Sequence, residues 1–288
     1  MSDAGGSDDL RELFCQRAGA APEKVMQMSP RSPNHQTTES VRPRRKAVTH
    51  PPKEVLRRAA DPKFVGSAAL RFVMDAWHGV SPLEFSALFR RVRPYTMCSS
   101  ARLKGLYRGV RSVTERKVGG DIVECGCAQG GSAALMALTL KGLRTSRRLW
   151  LFDTFEGLPA PTCGDPDYEI AKLFTGDCVG TIEEVEGLFQ ALLIKDDVHF
   201  VKGLFQETLP ISNIPRIALL HIDGDWFESV KVCLEHLYDK VVPGGIIQFD
   251  DYGYWKGAKK AVDEFFGSRG IDPGLKELDY SGRFMVKS

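Results

Sequence analysis

Leu219-Leu220-His221-Ile222-Asp223-Gly224-Asp225-Trp226 decides how the rest of the chain is read. Aliphatic residues run straight into two acids one residue apart, as a buried parallel strand does where it leaves its sheet. A second apolar run, Gly245-Ile246-Ile247-Gln248-Phe249, ends the same way in Asp250-Asp251. If the two strands are parallel neighbours, their carboxylates gather at one edge, which is the ligand-binding edge of open α/β sheets. Clustered carboxylates repel unless a cation sits among them or some are protonated. All-oxygen ligands suit a hard ion such as magnesium, so a divalent-cation site on an α/β sheet is expected. Acids also serve as helix N-caps after strands, which explains any one of them more easily than two pairs.

Working back from that edge, Asp121-Ile122-Val123-Glu124-Cys125 predicts the first strand. A glycine-rich turn follows, with Gly126, Gly130, Gly131 and Ser132, and then a helix over 133–141. Strand, glycine turn and helix together form a nucleotide-type loop. The frame is not Gly-x-Gly-x-x-Gly, because position 128 is Ala. Glu124, before the first glycine, disfavours a pyrophosphate and suits the cationic S-adenosylmethionine. The strand Arg148–Phe152 ends at Asp153, an acid placed to grip ribose hydroxyls, with Thr154 beside it. A long Gly/Pro/Asp-rich loop to Gly180 follows, and long loops often cover ligands. Thr181-Ile182-Glu183-Glu184 has capping-box form and opens a helix to about Leu193. Val198–Lys202 is the third strand, and Gly203 to Gln206 lie where an adenine would sit, with Phe200 and Phe205 read as core. Helices over 227–238 and 256–266 and a C-terminal hairpin, Leu275–Tyr280 with Arg283–Val286, complete a mostly parallel, Rossmann-like class I methyltransferase sheet. A dehydrogenase would instead continue with another βα unit.

The N-terminal part differs. Residues 1–63 hold 12 Lys and Arg against 8 Asp and Glu, a net +4 that leaves −2 for the remainder, with 7 of the 16 prolines and one aromatic, Phe14. Such a segment is expected to be a disordered basic tail. Helical periodicity over 64–117, including Ala68, Phe72 and Val73, a helix opening at Ser81-Pro82 and another over 101–115, predicts a lid or dimerisation layer, with plain packing on one face as the alternative. Residues 118–288 form the catalytic domain. The overall charge of +2 implies neither nucleic acid nor membrane as partner, and no apolar run nears the ~20 residues a bilayer span needs. A polar N-terminus without a signal-peptide core and seven scattered cysteines point to the cytoplasm. Cys125 and Cys127 read as small packed residues, and His199 and His221 as structural.

Taken together, Tyr95-Thr96-Met97, Gly120–Gly126 with Gly130-Gly131-Ser132, Phe152–Pro159, Gln206–Pro210, Asp223-Gly224-Asp225 with Glu228-Ser229, and Pro243-Gly244-Gly245 leading to Asp250-Asp251-Tyr252-Gly253 resemble the macrocin O-methyltransferase family. That family comprises metal-dependent sugar O-methyltransferases of macrolide and aminocoumarin antibiotic pathways. The resemblance spans about Tyr95 to Phe266. It implies S-adenosylmethionine as donor, magnesium held by Asp223, Asp250 and Asp251, and Asp225 as general base. Asp223 counts with the donor-binding residues as well. It also places Thr96, Met97 and Ser99 near the methionine end of the donor. Ala128 and Gln129 stand where the family usually has an aromatic and an arginine, and Trp226-Phe227 are bulkier than usual. A hydroxyl nucleophile must lose its proton, and a bound ion can lower a hydroxyl pKa as zinc takes water from ~15.7 to about 7. Chelation by neighbouring oxygens would orient the acceptor, so a vicinal diol on a small-molecule natural product is expected, acted on by a homodimer or higher oligomer. Two alternatives stay open on sequence alone, a nicotinamide-dependent dehydrogenase and a non-catalytic assembly protein.

Overall fold

The computed structural model describes residues 82–194 and 197–288. The basic tail, the helices read before residue 81 and Ser81 itself lie outside them. Of the described residues, all but Pro82 fall in one unit, Leu83–Ser288.

Helix α1 (Pro82–Val92) and α2 (Ser100–Glu115) precede strand β1 (Asp121–Cys125). Then come α3 (Gly131–Gly142), β2 (Leu149–Asp153), the one-turn α4 (Tyr168–Ala171), α5 (Ile182–Ala191), β3 (Val198–Lys202) and the one-turn α6 (Phe205–Thr208). The second half runs β4 (Ile217–Ile222), α7 (Phe227–Leu237), β5 (Val241–Phe249), α8 (Lys256–Ser268), β6 (Lys276–Glu277) and β7 (Arg283–Val286). The seven strands lie in the order β3-β2-β1-β4-β5-β7-β6, the first five parallel and β7 antiparallel to both β5 and β6. Chain order reverses between β1 and β4, which is where such sheets bind ligands.

Every residue of β1 and β4 is buried, which is why both read as unbroken apolar runs around a few polar side chains. Gly131 through Leu140 of α3 are all buried, as a helix apolar on every side must be. Helix α2 shows one buried stripe, Arg102, Leu103, Leu106, Gly109, Val110 and Val113. It lies on the sheet face: a methyl group on Gly109 would come 2.6 Å from Leu219 Cδ1, and buried Gln248 donates to the Arg102 carbonyl at 3.2 Å.

Strand β5, the last of the parallel strands, begins earlier than its sequence implies. Val241 pairs with Ile217 but Ile246 with Leu219, so residues 242–245 bulge between the two pairings. The bulge is held by the chain end, with Gly244 N–H donating to the Lys287 carbonyl and Lys287 N–H to the Gly245 carbonyl. The Pro-Gly-Gly stretch is therefore part of the strand rather than a turn before it.

Register sets the site. Cys125, Ile222 and Phe249 are level across β1, β4 and β5. Gly126, Asp223 and Asp250 therefore leave the sheet side by side, with Asp223 N–H donating to the Cys125 carbonyl and Asp250 N–H to the Ile222 carbonyl, both at 2.9 Å. Gly126, at φ +88°, is pressed so close to this exit that an added Cβ would lie 1.8 Å from the Asp223 carbonyl oxygen. Gly126→Ala is expected to cost at least ~3 kcal/mol through left-handed strain and overlap. At roughly 2–4 °C per kcal/mol for this domain size, thermal unfolding monitored by circular dichroism should show the loss, and an unchanged melting temperature would refute the close approach.

Candidate active site

Two groups of potential ligand atoms meet at the exits of β4 and β5. Carboxylate oxygens of Asp223, Asp225 and Asp251 lie within 4.8 Å of one another, and so do ligand atoms of Cys98, Asp223 and Asp250. Asp223 belongs to both. Asp250 and Asp251 are buried, while Asp223 and Asp225 keep part of their surface open. The sequence led to Asp223, Asp250 and Asp251 as one converging set; the structure brings Asp223 against Asp250 in one group and against Asp251 and Asp225 in the other. Asp250 has further partners, because Arg102 donates through Nη1 to its Oδ2 and His221 Nε2 lies 3.3 Å from its Oδ1.

The electrostatics divide along the same line. Burial, then the neighbouring acids, push the carboxyls of Asp223 and Asp225 well above the usual range. Burial and Asp250 raise Asp251 to about 6. Asp250 goes the other way: burial pushes it up, but the Arg102 guanidinium and the His221 imidazole outweigh that and hold it below its usual range. Burial alone would lower the His221 pKa, yet its bonds to Asp250 and Glu124 raise it to about 9, so the ring is an imidazolium at neutral pH. Glu124, Asp223, Asp225, Asp250 and Asp251 thus face two cationic side chains, Arg102 and His221. With five carboxyl groups against two basic side chains, a divalent ion would take the place of protons that the cluster otherwise holds, and oxygen donors suit a hard one.

Other expected site residues are engaged with the chain itself. Glu124 is wholly buried, and its Oε1 lies 2.8 Å from His221 Nδ1. Register makes Glu124, His221 and Gln248 level neighbours on three strands, which sets the Glu124 carboxyl against the His221 ring. Asp153 accepts from the backbone N–H groups of Cys127 (2.7 Å), Ala128 (3.0 Å) and Phe155 (2.8 Å), so it supports the glycine loop from beneath, with further lone pairs still available. Thr154 closes its own turn by donating to the Gly157 carbonyl. Gly130 and Gly126 have positive φ, Ser132 is buried, and the first turn of α3 has no side-chain cap. Thr96 is half-buried and Met97 58% exposed ahead of α2, and a methyl group on Gly131 would meet Tyr95 and Thr96. Ser99 caps α2 by accepting from Arg102 N–H. Gly203 and exposed Gln206 lie at the exit of β3, where Gly203 N–H donates to the Asp153 carbonyl. Phe205 is buried, and Phe200 packs against Phe155 and Phe189.

The long loop after β2 is anchored beside the acids. Asp165, 5% exposed, accepts from Phe227 N–H at 2.7 Å, and Asp167 accepts from Lys256 N–H at 2.5 Å, so each caps a helix that follows an acid pair. Trp226 donates through its indole to the Pro159 carbonyl at 2.8 Å and packs edge-on against Trp255, 5.0 Å away. Trp255 also hydrogen-bonds the Asp225 carboxylate.

Sequence reasoning missed Arg102, Cys98, Asp165 and Asp279. An arginine opening the otherwise apolar stripe of α2 was the available signal for the first. Contacts of Asp165 and Asp279 join segments far apart in the chain and leave no local pattern.

The parallel sheet with its antiparallel C-terminal hairpin and an acid-lined crevice at the β1/β4 reversal define an α/β methyltransferase fold. Residues 90–287 match the family model described as macrocin-O-methyltransferase (TylF). The chain belongs to this family of natural-product O-methyltransferases. It is 34% identical over 197 residues, 66% of its own length and 74% of the relative's, to the 8-demethyl-8-(2,3-dimethoxy-alpha-L-rhamnosyl)-tetracenomycin-C 4'-O-methyltransferase of Streptomyces olivaceus. It is 34% identical over 201 residues, 67% and 76% of the two lengths, to the demethyldecarbamoylnovobiocin O-methyltransferase of Streptomyces niveus. The solved structure of the O-methyltransferase NovP superposes with a TM-score of 0.63 at 32% identity, covering 67% of this chain and 82% of that one. Membership sets aside the dehydrogenase alternative. Among the described residues no helix is long and apolar enough to cross a membrane.

The Glu124–His221 pair can be isolated. His221→Leu alone leaves Glu124 uncompensated and is expected to cost about 3–5 kcal/mol, whereas Glu124→Leu/His221→Leu should recover part of that loss in urea unfolding. Strictly additive losses would show that the two side chains do not interact.

Proposed function

We propose that the chain transfers the methyl group of S-adenosylmethionine to one hydroxyl of a vicinal diol, on a sugar of a natural product, with magnesium held by Asp223, Asp250 and Asp251. The observation that carries this reading is the meeting of four aspartates from two adjacent strand exits with fewer cationic side chains than charges. The relatives named for rhamnosyl-tetracenomycin and novobiocin chemistry support the acceptor class.

When bound, the ion supplies positive charge beside the acceptor oxygens and the donor supplies a methyl group on a sulfonium. Asp225 accepts the proton released from the attacking hydroxyl. Its partial exposure lets it reach an acceptor. The Trp255 indole fixes its carboxylate, and the Asp251 side chain accepts from its backbone N–H at 3.2 Å. The uncapped N-terminal turn of α3 offers free N–H groups to the donor carboxylate. Thr96, Met97 and Ser99 close over the methionine end, Asp153 turns its remaining lone pairs to the ribose, and Gly203 and Gln206 border the adenine.

The direct test is incubation with S-adenosylmethionine, magnesium and the tetracenomycin or novobiocin precursors used by the relatives, followed by mass spectrometry for one added methyl. Asp225→Asn is expected to lower kcat by ~10²–10⁴-fold while calorimetric binding of S-adenosylhomocysteine is kept. Asp223→Ala should abolish magnesium-dependent turnover while leaving S-adenosylmethionine binding nearly intact. Activity insensitive to chelator in the unmodified chain would reject the ion, and full turnover in Asp225→Asn would remove that residue from the mechanism.

A further inference from the structure

The acid cluster contains a cation of its own. Arg102, 8% exposed in the first turn of α2, reaches two carboxylates on separate elements. Its Nη1 donates to Asp250 Oδ2 inside the cluster, and its Nε lies 3.3 Å from Asp279 Oδ2 outside it. Asp279 sits in the turn between β6 and β7 and is fixed without Arg102. Its Oδ1 accepts from the N–H groups of Ser281 (2.9 Å) and Gly282 (2.7 Å), and its Oδ2 accepts from the Ser99 hydroxyl. Cys98 Sγ lies 3.6 Å from Asp250 Oδ2 and 3.9 Å from Asp223 Oδ2, so the Asp250 oxygen that Arg102 holds also borders Asp223.

A guanidinium donating to Asp250 Oδ2 and a divalent ion bound at the same oxygen repel each other, and that repulsion is weakly screened in a site this enclosed. A long, flexible arginine side chain can change partner by rotamer alone, and its second partner already lies at the Nε. We infer that Arg102 is a resident competitor for the ion, occupying Asp250 in the ion-free chain and passing wholly to Asp279 when a divalent cation enters. This inference rests on the metal site proposed above. It makes Arg102 a positioning residue: it holds the carboxylates together when no ion does, and it sets how tightly an ion is held.

The test is Mn²⁺ binding, followed by the spin-resonance signal of free Mn²⁺, to the full-length chain and to Arg102→Met, Arg102→Lys and Asp279→Asn, with thermal unfolding of each in EDTA. Arg102→Met is expected to bind Mn²⁺ at least ~10-fold more tightly yet to melt lower in EDTA. A residue with a merely structural role would weaken both. Arg102→Lys, which keeps the charge, should return towards the parent affinity. Asp279→Asn should bind Mn²⁺ more weakly, because the displaced guanidinium loses its charged alternative partner. Equal or weaker binding by folded Arg102→Met overturns the inference while leaving the metal site intact. Should Arg102→Met fail to fold, unchanged affinity in Asp279→Asn overturns it equally. No Mn²⁺ binding by the parent chain or by any variant rejects the metal reading itself, and this inference with it.

Discussion

Like charges brought together by strand register are the constraint on which the rest of the site depends. Parallel pairing of β1, β4 and β5 makes Cys125, Ile222 and Phe249 level, so the residues after them cannot avoid one another. Two of those strands continue into acids, and the fold therefore concentrates negative charge at one edge. Such an arrangement opposes folding unless it is compensated, because charge buried without a partner costs several kcal/mol. Compensation comes partly from His221, flanked by Glu124 and Asp250, and partly from Arg102 on α2, the helix packed against β4 and β5. The remainder is what the proposed cation would meet.

The same economy of contacts appears in the glycine loop. Asp153 holds three amides of the chain, and Gly126 is squeezed against the Asp223 carbonyl. The glycine loop and the acid cluster are thus in direct backbone contact, so a shift in one is transmitted to the other without intervening side chains. Close-packed interiors transmit displacement in this way.

Much of the fold was legible in the residues. Apolar runs ending in acids gave β4 and β5, the capping box at Thr181–Glu184 gave the start of α5, and the first strand was read with its observed limits. Those signals are local, resting on side-chain period and cap chemistry. The apolar run was read from Gly245, because residues 241–244 carry Pro-Gly and only pairing with Ile217 and the chain end makes them strand. Within the site, the identity of the acids was visible but their partners were not. Glu124 looked like a ligand for a positive donor until register placed it opposite His221. The Arg102 bridge to Asp250 and Asp279 spans 148 residues to the former, a separation that no periodicity in the chain can report.

The tethering of the 154–181 loop has an evolutionary corollary. Asp165 and Asp167 attach it through backbone amides at the starts of α7 and α8, contacts that do not depend on which side chains those helices carry. The stretch beyond these two pins can diverge in composition without unseating the acids behind it. A family built this way can explore new molecules to modify while its chemistry stays unaltered.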